Sequence, residues 1–247
     1  MFKMGLFLLI FGVISLEAKV LEFKPGQKAC YKVEYKIEGD PRFEEAVIDS
    51  AIKLDIRIVE GVAYPFQVQI DLKKTTCNGF DTGDGGNSLF FTVISPDQVE
   101  ELSGLEIHPV TENSLKIFLG QLFQLSEGNL RENQCYRMFS YYLLHDWDLP
   151  INADEYVVFE NSQIDIKSVT EKEMMGSWKG HSVAKDLPVF EGRVDVDGTI
   201  GWNLKNPLVQ QRKNTLQLLE VHRNYNDGIQ TVTSVRIHQK WVSSKLP

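Results

Sequence analysis

Residues 48–58 read Ile-Asp-Ser-Ala-Ile-Lys-Leu-Asp-Ile-Arg-Ile. Ile48, Ile52, Leu54, Ile56 and Ile58 share one parity, while Asp49, Lys53, Asp55 and Arg57 share the other. Successive side chains of an extended chain point to opposite faces. A strict period of two therefore marks a strand that buries one face and wets the other.

The same pattern flanks this stretch on both sides. Tyr31, Val33, Tyr35 and Ile37 alternate with Lys32, Glu34, Lys36 and Glu38; Phe66, Val68, Ile70 and Leu72 alternate with Gln67, Gln69, Asp71 and Lys73. The loops between these runs, 39–45 and 60–63, are short, which predicts an antiparallel meander. Further along, 135–144 and 155–170 also read as strands. Asp197-Gly198 inside 193–203 predicts a two-residue hairpin, and Asp227-Gly228 predicts another between 216–225 and 229–242, because Asp and Gly tolerate the positive φ of such turns. Several of these runs exceed the ordinary strand length of ~5–6 residues, which points to a large curved sheet.

One segment follows a different period. From Ser114, the residues Leu115, Phe118, Leu119, Leu122 and Phe123 recur at helical spacing and form one apolar stripe. Asn113 or Ser114 can cap its start, and Gly128 follows its end. A shorter helix is expected after Ser95-Pro96. The fold class is therefore mainly β (α+β): a large curved antiparallel sheet or half-barrel with one amphipathic helix on its concave face. Leu115, Phe118, Leu119, Leu122 and Phe123 are the candidates to face a ligand.

The first eighteen residues form a targeting segment. Lys3 is followed by the 12-residue apolar run Gly5–Leu16 and then by Glu17-Ala18, whose small residue suits a signal peptidase. As a helix that run reaches ~18 Å, short of the ~30 Å hydrocarbon core of a bilayer. Residues 1–18 are thus expected to be a cleaved signal peptide and 19–247 a single β-rich domain. The chain is expected to be exported, periplasmic or secreted, with no integral membrane span after cleavage. Leu16 is larger than the residue usually found at its position, so tethering by an uncleaved signal is the alternative.

The formal net charge of −8 gives no long-range attraction for phosphates, so no nucleic-acid partner is expected. The three cysteines, Cys30, Cys77 and Cys135, follow the proposed cut, and an oxidising compartment predicts one disulfide and one thiol. In the meander Cys30 and Cys77 fall about ten residues of strand apart, ~33 Å, against the ~6 Å a disulfide spans. Cys77–Cys135 is the expected pair, since both stand where a loop meets a strand.

The layout resembles the periplasmic lipoprotein-carrier fold, an incomplete barrel with a helical lid over a lipid cavity. The stretch Phe91–Gly104 (FTVISPDQVEELSG), with the helix and strands after it, resembles uncharacterised exported bacterial domains. The exported domains have no known activity to carry over. The curved-sheet-and-helix plan with its surplus apolar faces, in a chain without a catalytic motif, leads to the expectation of a non-enzymatic exported binding protein of the cell envelope whose ligand is apolar or lipid-like.

Chemistry-bearing clusters compete poorly with structural explanations. Asp81 and Asp84 in the Gly-rich stretch 78–87 offer oxygen ligands for a cation, but the spacing is that of a plain loop. His145-Asp146-Trp147-Asp148 lacks a nucleophile. His222 and His238, paired through a turn at Asp227-Gly228, fall ~17 Å apart, too far to share a metal. Ser182 and Lys185 match a four-residue element of penicillin-recognising enzymes without its companions. No catalytic residue, metal or cofactor is therefore assigned. The expected partner is an apolar small molecule or an envelope protein. A structural or protein-interaction module, and a hydrolase with an unrecognised site built from Asp146, Asp148 and His181, are the alternatives.

Overall fold

A computed structural model describes residues 18–38, 48–96, 98–126, 128–143, 156–184, 190–225 and 228–244. In chain order its elements begin with β1 (Lys19–Val20), β2 (Lys28–Glu38), β3 (Ile48–Glu60), β4 (Phe66–Cys77), β5 (Phe80–Asp81), β6 (Ser88–Ser95), β7 (Gln98–Glu101) and α1 (Pro109–Leu122). They continue with β8 (Asn129–Leu130), β9 (Cys135–Leu143), β10 (Tyr156–Val169), β11 (Glu173–Ala184), β12 (Phe190–Asn203), β13 (Gln210–Tyr225) and β14 (Gly228–Ser244). The proposed signal segment lies outside the described residues, apart from Ala18.

Twelve strands form one antiparallel sheet in the order β7-β6-β4-β3-β2-β14-β13-β12-β11-β10-β9, with β5 paired to β4. Two meanders run outward from a seam where β2 pairs with β14. The first half has the topology its alternation predicts, with Ile52, Leu54, Ile56 and Ile58 all at most 1% exposed. The 11 strands of the path laid flat at ~4.8 Å spacing would put the edges about 50 Å apart. Yet α1 lies against both edge strands, β7 and β9. The sheet therefore curls around the helix without closing into a barrel, which is the half-barrel layout expected.

The helix is longer than its apolar stripe. It opens at Pro109, whose fixed φ and missing N–H suit a first helical position. His108 caps it, its Nδ1 accepting from Val110 N at 3.3 Å. Asn113 and Ser114, the expected caps, instead lie inside the helix and are buried. Glu112 and Lys116 pair at 2.5 Å one turn apart on the outer face. No helix among the described residues is long and apolar enough to cross a membrane.

Three local expectations are corrected. The segment after Pro96 is not a helix; it is β7, paired with β6 through Val99 and Val93 and held because Val99 is buried. Asp197-Gly198 is not a turn, because β12 runs straight through it in register with both neighbours. Gly198 stands opposite Trp178 there. The chain reverses instead at 204–209, where Tyr31 on β2 donates from its hydroxyl to Leu208 O and accepts from Gln210 N at 3.1 Å. In the β13–β14 hairpin, Tyr225 pairs with Gly228, one step from the predicted turn centre. His222 therefore faces Thr231 and His238 faces Thr215, which leaves the two histidines still further apart.

The Cys77–Cys135 disulfide is not formed, and all three cysteines are free thiols. Cys77 ends β4 and Cys135 opens β9; β3, β2, β14, β13, β12, β11 and β10 stand between them in the sheet. Cys30 and Cys77 are opposite Asp55 and Ser50 on β3. That offset is ~17 Å along the strand, half the separation expected from the alternation.

Candidate functional site

The inner face of the sheet and α1 make the site. Beneath the helix, aromatic side chains fill the space. Phe118 meets Tyr31 and Trp241 edge-on at 4.9 and 5.1 Å between ring centroids. Phe123 stacks on Phe66 at 4.5 Å and tilts against Phe23 at 4.9 Å. Leu115, Phe118, Leu119, Leu122 and Phe123 are all buried in this core. The sequence stripe is therefore the face that glues α1 to the sheet.

Each end of α1 is also held by polar contacts of matching sign. At the N-terminus, Asp84 of the 78–87 loop accepts from Thr111 Oγ1 at 2.6 Å, Thr82 Oγ1 at 2.7 Å and His108 N at 3.0 Å. Burial pushes the Asp84 carboxyl up. The hydrogen bonds, with the nearby His108 ring, outweigh that and hold it below the ordinary aspartate value. Asp81, the second carboxylate of the loop, accepts from Gly83 N at 2.8 Å. Both carboxylates thus order the loop and the helix start. Among the described residues no group of three or more His, Cys, Asp or Glu side chains is placed to hold a metal.

At the C-terminus, the last carbonyls of α1 are met by the sheet. Gln210 Nε2 donates to Leu122 O at 2.9 Å, and Tyr64 Oη donates to Phe123 O at 2.7 Å. Arg212, only 3% exposed, donates from Nη1 to Gln121 Oε1 at 2.8 Å and from Nη2 to Gln121 O at 3.3 Å. Its guanidinium lies between two indoles, 4.8 Å from the Trp178 ring and 4.7 Å from the Trp241 ring. An anion at the helix N-terminus and a cation at its C-terminus both complement the macrodipole. Burial also pushes the Tyr31 phenol well above its ordinary value.

Beyond the helix the long strands continue. One row of the sheet reads Ile200–Arg212–Trp241–Val33 across β12, β13, β14 and β2. Two residues further along each strand, the register sets Gly198, Asn214, Gln239 and Tyr35 side by side. The next row is Val196–Leu216–Ile237–Ile37, and the one after is Val194–Leu218–Val235. Both of these rows consist of apolar residue types.

Sequence reasoning found the helix face but not Asp84 as a helix anchor, nor Gln210, Arg212 and Trp178. The signal for Gln210 and Arg212 was present in the sequence. Both are polar residues on the parity that Leu216 and Leu218 continue. His145, Asp146, Trp147, Asp148 and Lys185 lie outside the described residues. His181 stands opposite Asp195 in the β11–β12 ladder.

No family model matches the chain, and no curated protein matches it in sequence. The structure is similar to a lipovitellin chain studied for its lipid–protein interactions, with 12% identity and a TM-score of 0.41. That match covers 90% of this chain, which spans 25% of the length of the lipovitellin chain. It is also similar to a protein described as exported, with a YmcC-like fold, from Bacteroides fragilis NCTC 9343. There the identity is 9%, the TM-score 0.22, and the match covers 92% of this chain and 100% of that one. Both TM-scores are too low to define a shared fold.

Proposed function

We propose that this chain is a non-enzymatic exported binding protein of the cell envelope, periplasmic or secreted, and that it takes an apolar or lipid-like ligand on the inner face of its sheet. What supports this reading is the register of the long strands β12, β13, β14 and β2, which sets apolar residue types side by side in the rows Val196–Leu216–Ile237–Ile37 and Val194–Leu218–Val235, further along the strands than Arg212 and Trp241. Apolar rows that outrun the covering helix would give an apolar partner its surface. The α1 face of Leu115, Phe118, Leu119, Leu122 and Phe123, buried against the sheet, would close the inner end of this surface.

Export rests on the Lys3, Gly5–Leu16 and Ala18 pattern. Cleavage after Ala18 would leave 19–247 as one domain. N-terminal sequencing of the exported protein tests it, and a chain still starting at Met1 overturns cleavage.

Binding is tested with the purified exported protein and the dye ANS. Saturable fluorescence enhancement, displaced by an acyl lipid and weakened in Leu218→Asp, is the expected result. Absence of saturable binding overturns the proposal.

A further inference from the structure

The outer, convex face of the sheet carries a charge arrangement that works against its own pairing. Register sets Lys32 of β2 opposite Lys53 of β3, and Lys53 opposite Lys74 of β4. All three are exposed, and their neighbours Tyr31, Val33, Ile52, Leu54 and Thr75 are buried on the inner face. Like charges directly opposite one another destabilise a sheet, yet three stand here in one row. A β-bulge adds a fourth: Leu54 pairs with Leu72 and Lys53 with Lys74, so Lys73 is the extra residue, and it is exposed beside Lys74. Two residues along, Lys213 pairs with Lys240, and both are exposed. The carboxylates beside the row are already engaged. Glu34 is shared by Lys32 and Lys240, and Asp55 pairs with Lys73 at 3.1 Å. Asp71 accepts from Ser88 Oγ at 2.6 Å and from Gln69 Nε2 at 2.9 Å, and Asp81 from Gly83 N at 2.8 Å. Among the described residues, Lys53 and Lys74 have no ion-pair partner.

We infer that this face is a docking surface for the headgroups of an anionic lipid bilayer. The inference is independent of any ligand on the inner face. The lysines stand on β4, β3, β2, β14 and β13, the third to seventh of the eleven strands in the path. A convex surface meets a flat partner at its crown, and that is where the row lies. Each of these strands is paired on both sides, so an acidic peptide finds no strand edge to extend there. A bilayer surface needs only charge. A cluster of about four to eight cationic side chains is what anionic lipids hold, each lysine strengthening binding about fivefold. Val242, 40% exposed and opposite Lys32, adds an apolar neighbour to the row. The overall charge of −8 does not oppose contact, because at physiological ionic strength charges are screened beyond ~8 Å.

The test is flotation of the full exported chain with vesicles of phosphatidylcholine alone and with phosphatidylcholine containing about one third phosphatidylserine. At about 0.15 M salt the chain is expected to float with the anionic vesicles and not with the neutral ones. At about 1 M salt, where screening reaches ~3 Å, that binding is expected to be lost. Lys53→Gln/Lys74→Gln is expected to weaken it about twentyfold. Lys172→Gln/Lys205→Gln removes the same charge from two exposed lysines in the β10–β11 and β12–β13 turns, and is expected to leave it unchanged. All four side chains are exposed, so neither variant disturbs folding. Equal binding to both kinds of vesicle, no binding to either, or an equal loss in the two double variants overturns the docking surface. Retention on immobilised poly-glutamate without vesicle binding overturns it in favour of an acidic protein segment. None of these outcomes bears on the apolar-ligand reading, which the ANS assay decides.

Discussion

Asp84 Oδ2 accepts a hydrogen bond from Thr111 Oγ1 at 2.6 Å, tying a glycine-rich loop to the first turn of α1. The same carboxylate takes Thr82 Oγ1 and His108 N. Removing it strands three donors in a site that is 5% exposed. Asp84→Ala is therefore expected to lower stability by about 3 kcal/mol, measured by urea unfolding. A loss below ~0.5 kcal/mol, ordinary for a surface site, would show that the loop does not anchor the helix.

The same carboxylate gives a pH signature. Despite its burial, the donated hydrogen bonds hold its folded-state value below that of an unfolded aspartate. The stability it contributes is fully present above the unfolded value, about pH 4, and is lost as the pH falls through the lower folded value. Urea midpoints of the wild type and Asp84→Ala should thus differ by a constant amount from pH 7 to about 4 and converge below. Convergence on the alkaline side would contradict the assignment.

Phe118 is the centre of the helix–sheet contact, fully buried between Tyr31 and Trp241. Phe118→Ala removes both ring contacts and leaves a cavity under α1. The expected cost is about 3–5 kcal/mol, with a changed emission of Trp241. A small loss with unchanged emission would mean that the helix does not pack through this face.

The strands and the helix stripe were legible because each has a local period: two for Ile52, Leu54, Ile56 and Ile58, and helical for Leu115, Phe118, Leu119, Leu122 and Phe123. What failed depended on long-range pairing. Asp197-Gly198 looks like a turn locally, but its neighbours in β11 and β13 hold it extended. Pro96 reads as a helix start until Val99 finds its place against Val93. Of the candidate site, the apolar helix face was legible, and of the polar cluster only the parity of Gln210 and Arg212 was. Arg212 and Trp178 come from strands β13 and β11 with β12 between them, and no local pattern reports a side chain reaching across an intervening strand.

Two glycines separate backbone strain from collision. Gly26 and Gly61 both have positive φ, +86° and +99°. A Cβ at Gly26 meets nothing within 4 Å, whereas one at Gly61 would stand 2.6 Å from Pro65 O. Gly26→Ala is expected to cost about 1 kcal/mol, the penalty of the left-handed backbone alone. Gly61→Ala adds a clash with main chain and is expected to cost about 3 kcal/mol. Equal urea midpoints for the two variants would rule out the tight β3–β4 turn.

The thiols offer a test of the sheet order itself. Burial, then a hydrogen bond and charge from Asp55, push the Cys30 thiol up to about 11, while Lys73 partly opposes them. Burial and Asp49 raise Cys77 as well, and Cys135 is exposed. The thiolate is the reactive form, so at pH 8 Cys135 should take up a thiol reagent first, with Cys30 and Cys77 slow until the chain is unfolded. Three equivalents should react in denaturant without reductant, because all three are free. Recovery of a disulfide-linked Cys77–Cys135 peptide from the exported protein would require strands β4 and β9 to meet, and would break the order that places seven strands between them.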